Sequence, residues 1–297
     1  MKVNLNIFGP PRLPVTNEDP LVYISHGFKS DGESMIRLEN LIGHVMPRAT
    51  TYRFQYEWRH SVVRSGAELA NTVFGNTKKD RPLLLVGHSM GGLVSRVANL
   101  ILTDPKAFAA EVPKLKSFDY GDDTKPLKAF CFESKTKRKV NGIVTLATPN
   151  SGAFLQGQMS SYLALAQWGV NLAASLRHPS VHDLTTARLF RFLQQFSTDT
   201  PFLSVSGSSI SRFGTGAGLL SQTASKLGLN LTFPNDWVVE DVSVDLSKSI
   251  LPNEIIHHGN ALYLHLRAYE NCTSVTHSSI HQERIVADYI GDFASRC

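Results

Sequence analysis

The chain has 297 residues, 42% of them hydrophobic and 19% charged, with Lys plus Arg 30 against Asp plus Glu 25 and a formal net charge of +5. That length suits one α/β domain with insertions and buries enough apolar surface to fold without disulfides or a metal. The charge is mild, and no arginine-rich arm or aromatic-basic motif accompanies it. This excludes a dedicated nucleic-acid binder and leaves room only for weak, transient attraction to an anionic membrane surface.

The opening stretch, MKVNLNIFGPPRLP, lacks the apolar core of a secretion signal, and NLNIF (4–8) reads as a first edge strand. LVYISHG (21–27) has the pattern of a buried strand ending in a turn glycine. ATTYRFQY (49–56) alternates and is β-rich. RPLLLVGHS (81–89), NGIVTLATP (141–149), PFLSVSGS (201–208) and NALYLHLRAY (260–269) complete the strand set. Continuous Val/Ile/Leu runs, rather than strict alternation, suit strands covered on both faces. Helical periodicity falls between them, over 33–46, 61–75, 91–103 and 280–295. The rhythm predicts a mostly parallel central sheet flanked by helices.

Two stretches interrupt it. Residues 105–139, with Pro113, YGDDTKP and the basic run at 135–139, read as an irregular insertion. Residues 152–200 are helix-like and too long for a simple crossover; a pair of amphipathic helices covering the carboxyl edge of the sheet would fit. Within them YLALAQWGVNLAASL (162–176) is the most apolar longer segment. It contains Gln167 and Asn171 and is too short for a membrane span. A soluble, cytoplasmic chain is therefore expected. Cys131, Cys272 and Cys297 lack metal-ligand spacing and read as separate reduced thiols, with a Cys272–Cys297 bridge as the alternative.

The chemistry is concentrated in VGHSMGG (86–92). Gly87-His88-Ser89-Met90-Gly91 satisfies G-x-S-x-G, with a strand before it and a helix after it. In that context the glycines make room for a strained turn that holds the serine hydroxyl outward. The following helix points its N-terminus, which favours developing negative charge, at the same place. Ser89 is the candidate nucleophile. A serine hydroxyl needs a base, and the base needs a carboxylate to orient it. In this strand-loop arrangement the order is Ser, then acid, then His. Asp236, in TFPNDWVVED (232–241), sits on a loop beside apolar residues and is the candidate acid; Asp241 and Asp245 are alternatives. For the base, His265 lies inside a strand, and His257 and His258 precede it at the wrong end of the sheet. His277 follows that strand and precedes the last helix, on the same rim as Ser89; His281, in the first turn of that helix, is the alternative. Oxyanion donors are expected from the backbone N–H of Met90 and of Phe28, the latter in the loop YISHGFKSDG (23–32). His26 reads as a structural residue pinning that loop.

ISHGF (24–28), VGHSMGG (86–92), TLATPNSG (145–152), PNDWVV (234–239) and VTHSS (275–279) together resemble the lipase and serine-esterase branch of the α/β-hydrolases. ATPNSG is similar to the TPH-x-G segment of many lipases and of the inositol deacylases of glycolipid anchors, with Asn150 in place of His. PNDWVV is similar to the ND-G-V-V acid loop, with Trp237 in place of Gly. The resemblance implies one α/β-hydrolase domain over 1–297, a cap or lid at 152–200, and an acyl-enzyme mechanism through Ser89, His277 and Asp236. It implies a carboxylic ester, lipid or otherwise hydrophobic, as substrate and no metal or organic cofactor. The same triad serves thioesterases, amidases and peptidases, and a non-catalytic binder on the same fold is the remaining alternative.

Overall fold

The computed structural model describes residues 19–76, 81–111, 130–132, 135–150, 178–185, 189, 192–193, 199–207, 248–251, 254–257, 261–265, 275 and 279–297. The strands are β1 (Leu21–Ser25), β2 (Thr50–Phe54), β3 (Leu83–His88), β4 (Gly142–Leu146), β5 (Phe202–Ser206), β6 (Lys248–Leu251), β7 (Glu254–His257) and β8 (Ala261–His265). The helices are α1 (Ile36–Val45), α2 (Val62–Gly75), α3 (Met90–Thr103), α4 (Pro105–Glu111), α5 (Pro179–Thr185) and α6 (Arg284–Ala294).

Six strands form one parallel sheet in the order β2-β1-β3-β4-β5-β8. Alternation along the buried strands feeds two cores. Leu21, Tyr23, Leu83, Leu85 and Ile143 face a cluster with α2 and α3, through residues such as Val63, Leu69, Val94 and Ile101. Val22, Ile24, Leu84, Val86, Val144 and Leu146 face the other side, against Leu38 and Ile42 of α1 and Val286, Tyr289, Ile290 and Phe293 of α6. Strands apolar on both faces are thus explained by helices on both faces.

The strand order also locates the site. From β1 the chain runs outward to β2, then crosses back to β3 on the other side of β1. The direction of winding reverses between β1 and β3, and ligands in such sheets bind beyond the carboxyl ends of the strands at that reversal. Ser25 pairs with Gly87 in register, so the loop after β1 and the turn after β3 leave the sheet side by side.

All six sheet strands and the four helical stretches expected from periodicity are present. Three details differ. α4 lies inside the segment read as irregular. Asp104 and Pro105 start it: the Asp104 carboxylate accepts from the Ala107 N–H (3.2 Å), proline suits the first helical position, and Phe108 is fully buried. Second, the antiparallel hairpin β6–β7 was not anticipated; its strands have only four residues each. Third, the last helix begins at Arg284, after a 3₁₀ turn at Ile280–Gln282, so His281 lies in that turn and not in the helix. The stretches 4–8 and 151–177 lie outside the described residues. At the flank of the latter, α5 docks on α2, where the buried Asp183 carboxylate accepts from the Val62 N–H at 2.6 Å. Among the described residues no helix is long and apolar enough to cross a membrane. Cys297 carries a free thiol, pushed up to about 12 chiefly by burial. Cys272 lies outside the described residues.

Gly43, inside α1, faces open space: an added Cβ would meet nothing within 4 Å. Gly43→Ala is expected to raise stability by roughly 0.5–1 kcal/mol, by improving helix propensity and narrowing the unfolded ensemble. Urea unfolding of the two proteins measures this.

Candidate active site

Ser89 stands between β3 and α3, as the N-cap of the helix, with φ 54° and ψ −125°. A non-glycine residue rarely adopts a positive φ of this kind, and such strain gathers at functional sites. The turn is held from both sides. The Ser89 N–H donates to the Leu146 carbonyl at 2.8 Å, and the Gly92 N–H donates to the Ser89 carbonyl at 3.1 Å. Its neighbours must be small. A Cβ on Gly87 would overlap the Gly91 carbonyl and the Gly92 nitrogen, and one on Gly91 would overlap the carbonyls of Ser25 and His26. No elbow glycine has a positive φ, so these positions are glycine for space; the strained conformation belongs to the serine.

Met90 is the first residue of α3 and is fully buried. Its N–H belongs to the first turn, where helix amides have no intrahelical acceptor. Across the reversal, Gly27 abuts the elbow: a Cβ there would come within 3.1 Å of the Ser89 Cβ and 3.2 Å of His88 Nδ1. Phe28 follows, buried, with its ring edge-on to Trp58 at 4.8 Å. The two candidate oxyanion positions and Ser89 therefore share one corner of the molecule.

His26 is fully buried. Its ring stacks on Tyr56 at 4.1 Å, and the Tyr56 hydroxyl donates to the His26 carbonyl at 2.6 Å. Nδ1 of His26 lies 2.9 Å from the Gly27 carbonyl. A carbonyl can only accept, so Nδ1 carries the proton. Burial, the dominant cause, pushes this imidazole below its ordinary value of 6.5, against the opposing pull of the Gly27 and Tyr56 carbonyls. The consequence for stability has a definite sign. Above about pH 6.5 the group is neutral in folded and unfolded chains alike. Below that, the unfolded chain takes up a proton that the folded chain resists, so stability falls as pH drops from 6.5 through the lower folded value. Denaturant unfolding between about pH 8 and about pH 5.5 is expected to show this loss, with a slope from this group of at most about 1.4 kcal/mol per pH unit. That component is absent in His26→Asn.

Asp236 and His277 lie outside the described residues, as do Asp241, Asp245 and Trp237. The segment around His277 is bounded by described anchors. Val275 and Ile280 are buried in the cluster that holds Ile24 of β1, Val86 of β3 and Leu146 of β4. His281 is buried too, and its ring lies 4.6 Å from that of His88, the residue before Ser89.

Asn150, two residues past Thr148, is buried. It accepts from the buried Arg96 of α3 through its backbone carbonyl (3.0 Å) and its side-chain oxygen (3.3 Å), and donates to Thr145 (3.3 Å). Burial lowers the Arg96 guanidinium to about 10. This network ties the loop after β4 to α3, and that loop carries Ala147, which like Ser89 is a non-glycine residue of positive φ, at 48°. The Arg96–Asn150 network, the Tyr56–His26 stack and the His88–His281 contact were not foreseen from sequence. The aromatic residues at every second position, Phe54, Tyr56 and Trp58, were the one available signal for the stack.

No family model matches the chain, and no curated protein matches it in sequence. Solved structures do match in shape. Lipase BlEst2 from Bacillus licheniformis, in its mature form, superposes over 96% of this chain and 95% of its own, with a TM-score of 0.54 and 17% identity. The product of gene lin2722 from Listeria innocua superposes over 93% of this chain and 94% of its own, with a TM-score of 0.50 and 12% identity. The chain has the α/β-hydrolase fold. The turn after β3 that carries Ser89 and the loop after β1 that carries Phe28 leave the carboxyl ends of neighbouring strands of that sheet.

Proposed function

We propose that the chain is a serine hydrolase of carboxylic esters. Ser89 attacks the ester carbonyl while His277 takes its proton, and Asp236 holds His277 in the required tautomer and stabilises its cationic form. The N–H groups of Phe28 and Met90 receive the oxyanion; His277 then protonates the leaving alcohol, and water resolves the acyl-enzyme. Each oxyanion donor is worth about 3 kcal/mol of barrier. A hydrophobic ester is the substrate class, and residues 152–200 form a cap within a single domain.

The observation that carries this reading is the backbone of Ser89, strained at φ 54° on a helix N-terminus at the winding reversal of the sheet. The names of the matched structures, one of them a lipase, agree with it. For the base, a specific contact keeps a second residue in view: His281 packs on His88. His277→Ala and His281→Ala separate the two, since only loss of the base removes the turnover. The test of the whole reading is twofold. A fluorophosphonate should label the protein at Ser89, read by peptide mapping. A p-nitrophenyl ester series from acetate to palmitate should be hydrolysed, the preferred length sizing the pocket. A folded protein that takes no label and hydrolyses no ester would overturn it.

A further inference from the structure

We propose that His26 and Tyr56 are positioning residues that set the direction of the Phe28 N–H, the candidate oxyanion donor; this rests on the hydrolase reading above. The argument starts from the Gly27–Phe28 peptide. In a planar trans peptide the C=O and N–H point in opposite directions, so whatever fixes one fixes the other. The Gly27 carbonyl is fixed by the Nδ1–H of His26 at 2.9 Å. The Phe28 N–H is thereby turned to the side away from the His26 ring.

That anchor serves only if the ring cannot turn, and three features hold it. It is fully buried, it stacks on the Tyr56 ring at 4.1 Å with an interplanar angle of 12°, and its own backbone carbonyl is gripped by the Tyr56 hydroxyl at 2.6 Å. The bond to the carbonyl orients the preceding peptide, His26–Gly27, as the imidazole orients the next. Two residues on, the pattern repeats: Phe28 lies edge-on to Trp58 at 4.8 Å. Residues 56 and 58, leaving β2, thus clamp residues 26 and 28, leaving β1, which is its parallel neighbour. Gly27, between the clamped pair, is the residue that abuts Ser89 and His88. An inverted Gly27–Phe28 peptide would present a carbonyl oxygen where a donor is needed, and its dipole would oppose the developing negative charge.

Neither side chain touches substrate in this scheme, so the effect should fall on kcat and not on KM. His26→Ala removes the Nδ1–H. His26→Asn keeps an amide N–H near the Nδ1 position. Tyr56→Phe keeps the stack and removes only the hydroxyl. With wild-type p-nitrophenyl ester turnover as reference, kcat of His26→Ala is expected to fall roughly 100-fold, the low end of losing one oxyanion donor, with KM within about threefold. His26→Asn should recover at least about tenfold of that loss, and Tyr56→Phe, which cannot leave a cavity, should lose about tenfold in kcat. Circular dichroism checks that each variant is folded; if His26→Ala is not, Tyr56→Phe and His26→Asn decide. Equal losses in the Ala and Asn variants, a loss carried by KM, or a Tyr56→Phe enzyme with wild-type kcat would overturn the proposal. Failure of the hydrolase reading looks different: wild type itself neither turns over ester nor takes the fluorophosphonate, and the proposal falls with it.

Discussion

Ser89→Ala is expected to lower ester turnover by a factor on the order of 10⁵ or more, to abolish fluorophosphonate labelling, and to leave the fold intact. The serine is buried to 3% exposure at the end of a fully buried strand, and alanine fits wherever its β-carbon does. Residual turnover would measure what the oxyanion donors and substrate binding achieve without a nucleophile. The same position makes a second, thermodynamic claim. A non-glycine residue held at φ 54° and ψ −125° costs about 1–3 kcal/mol. Alanine keeps the β-carbon and hence the strain, so Ser89→Ala should match wild type in stability to within about 0.5 kcal/mol. Glycine relieves it, at the cost of a freer unfolded chain, so Ser89→Gly should be inactive yet more stable than either by about 1 kcal/mol. Turnover surviving Ser89→Ala would place the nucleophile elsewhere. A Ser89→Gly protein no more stable than Ser89→Ala would mean that the elbow stores no strain.

The elbow was legible because its requirements are local. Five consecutive residues carry the serine and the small neighbours it needs, and apolar runs on either side announce the strand and the helix. Strands β1, β3, β4 and β5 were legible for a related reason: burial on both faces favours short runs rich in Val, Ile and Leu, whereas the half-exposed β2 shows as an alternating β-rich stretch. The Asp104-Pro105 start signal of α4 is obscured in the sequence by a stretch dominated by charge and by Pro113. The β6–β7 hairpin was missed because four-residue strands hardly establish a period. Other features depend on which strands are neighbours, and no single stretch encodes that. Tyr56 meets His26 because β2 lies beside β1; Arg96 meets Asn150 because α3 and the loop after β4 flank the same strand. The expected chain order of acid and base leaves Asp236, Asp241 and Asp245, and His277 and His281, as candidates, and of these only His281 lies among the described residues. Asn150 stands in the sequence only as a departure from a resemblance; in three dimensions its amide accepts from the buried Arg96 guanidinium and donates to Thr145.

Gly91→Ala is expected to be the most damaging single methyl that the chain could acquire near this site. Its β-carbon would overlap the backbone carbonyls of Ser25 and His26, which belong to β1 and to the start of the loop after it. Gly87→Ala would drive a β-carbon into the backbone of Gly91 and Gly92, the first turn of α3. Overpacking against side chains costs about 1–3 kcal/mol because rotamers can yield. Here the obstacles are backbone atoms of a buried strand and a buried helix, so the cost should exceed about 3 kcal/mol, a large share of an ordinary total of 5–15 kcal/mol. Gly92→Ala supplies the contrast. Its β-carbon would meet the side chain of Thr148, with Oγ1, Cγ2 and Cβ as the nearest atoms. Pairing it with Thr148→Gly should therefore recover a good part of the lost stability, whereas no side-chain truncation can rescue Gly91→Ala, since the atoms in the way are not in a side chain. Denaturant unfolding of the three single variants and the one double variant decides this. A Gly91→Ala protein within about 1 kcal/mol of wild type would show that β1 and α3 approach less closely than described. Activity should suffer further than stability in whatever Gly91→Ala protein folds, because the displaced carbonyl of His26 is the one gripped by Tyr56. The glycines at 87 and 91 therefore record how closely β1, β3 and α3 approach one another around Ser89.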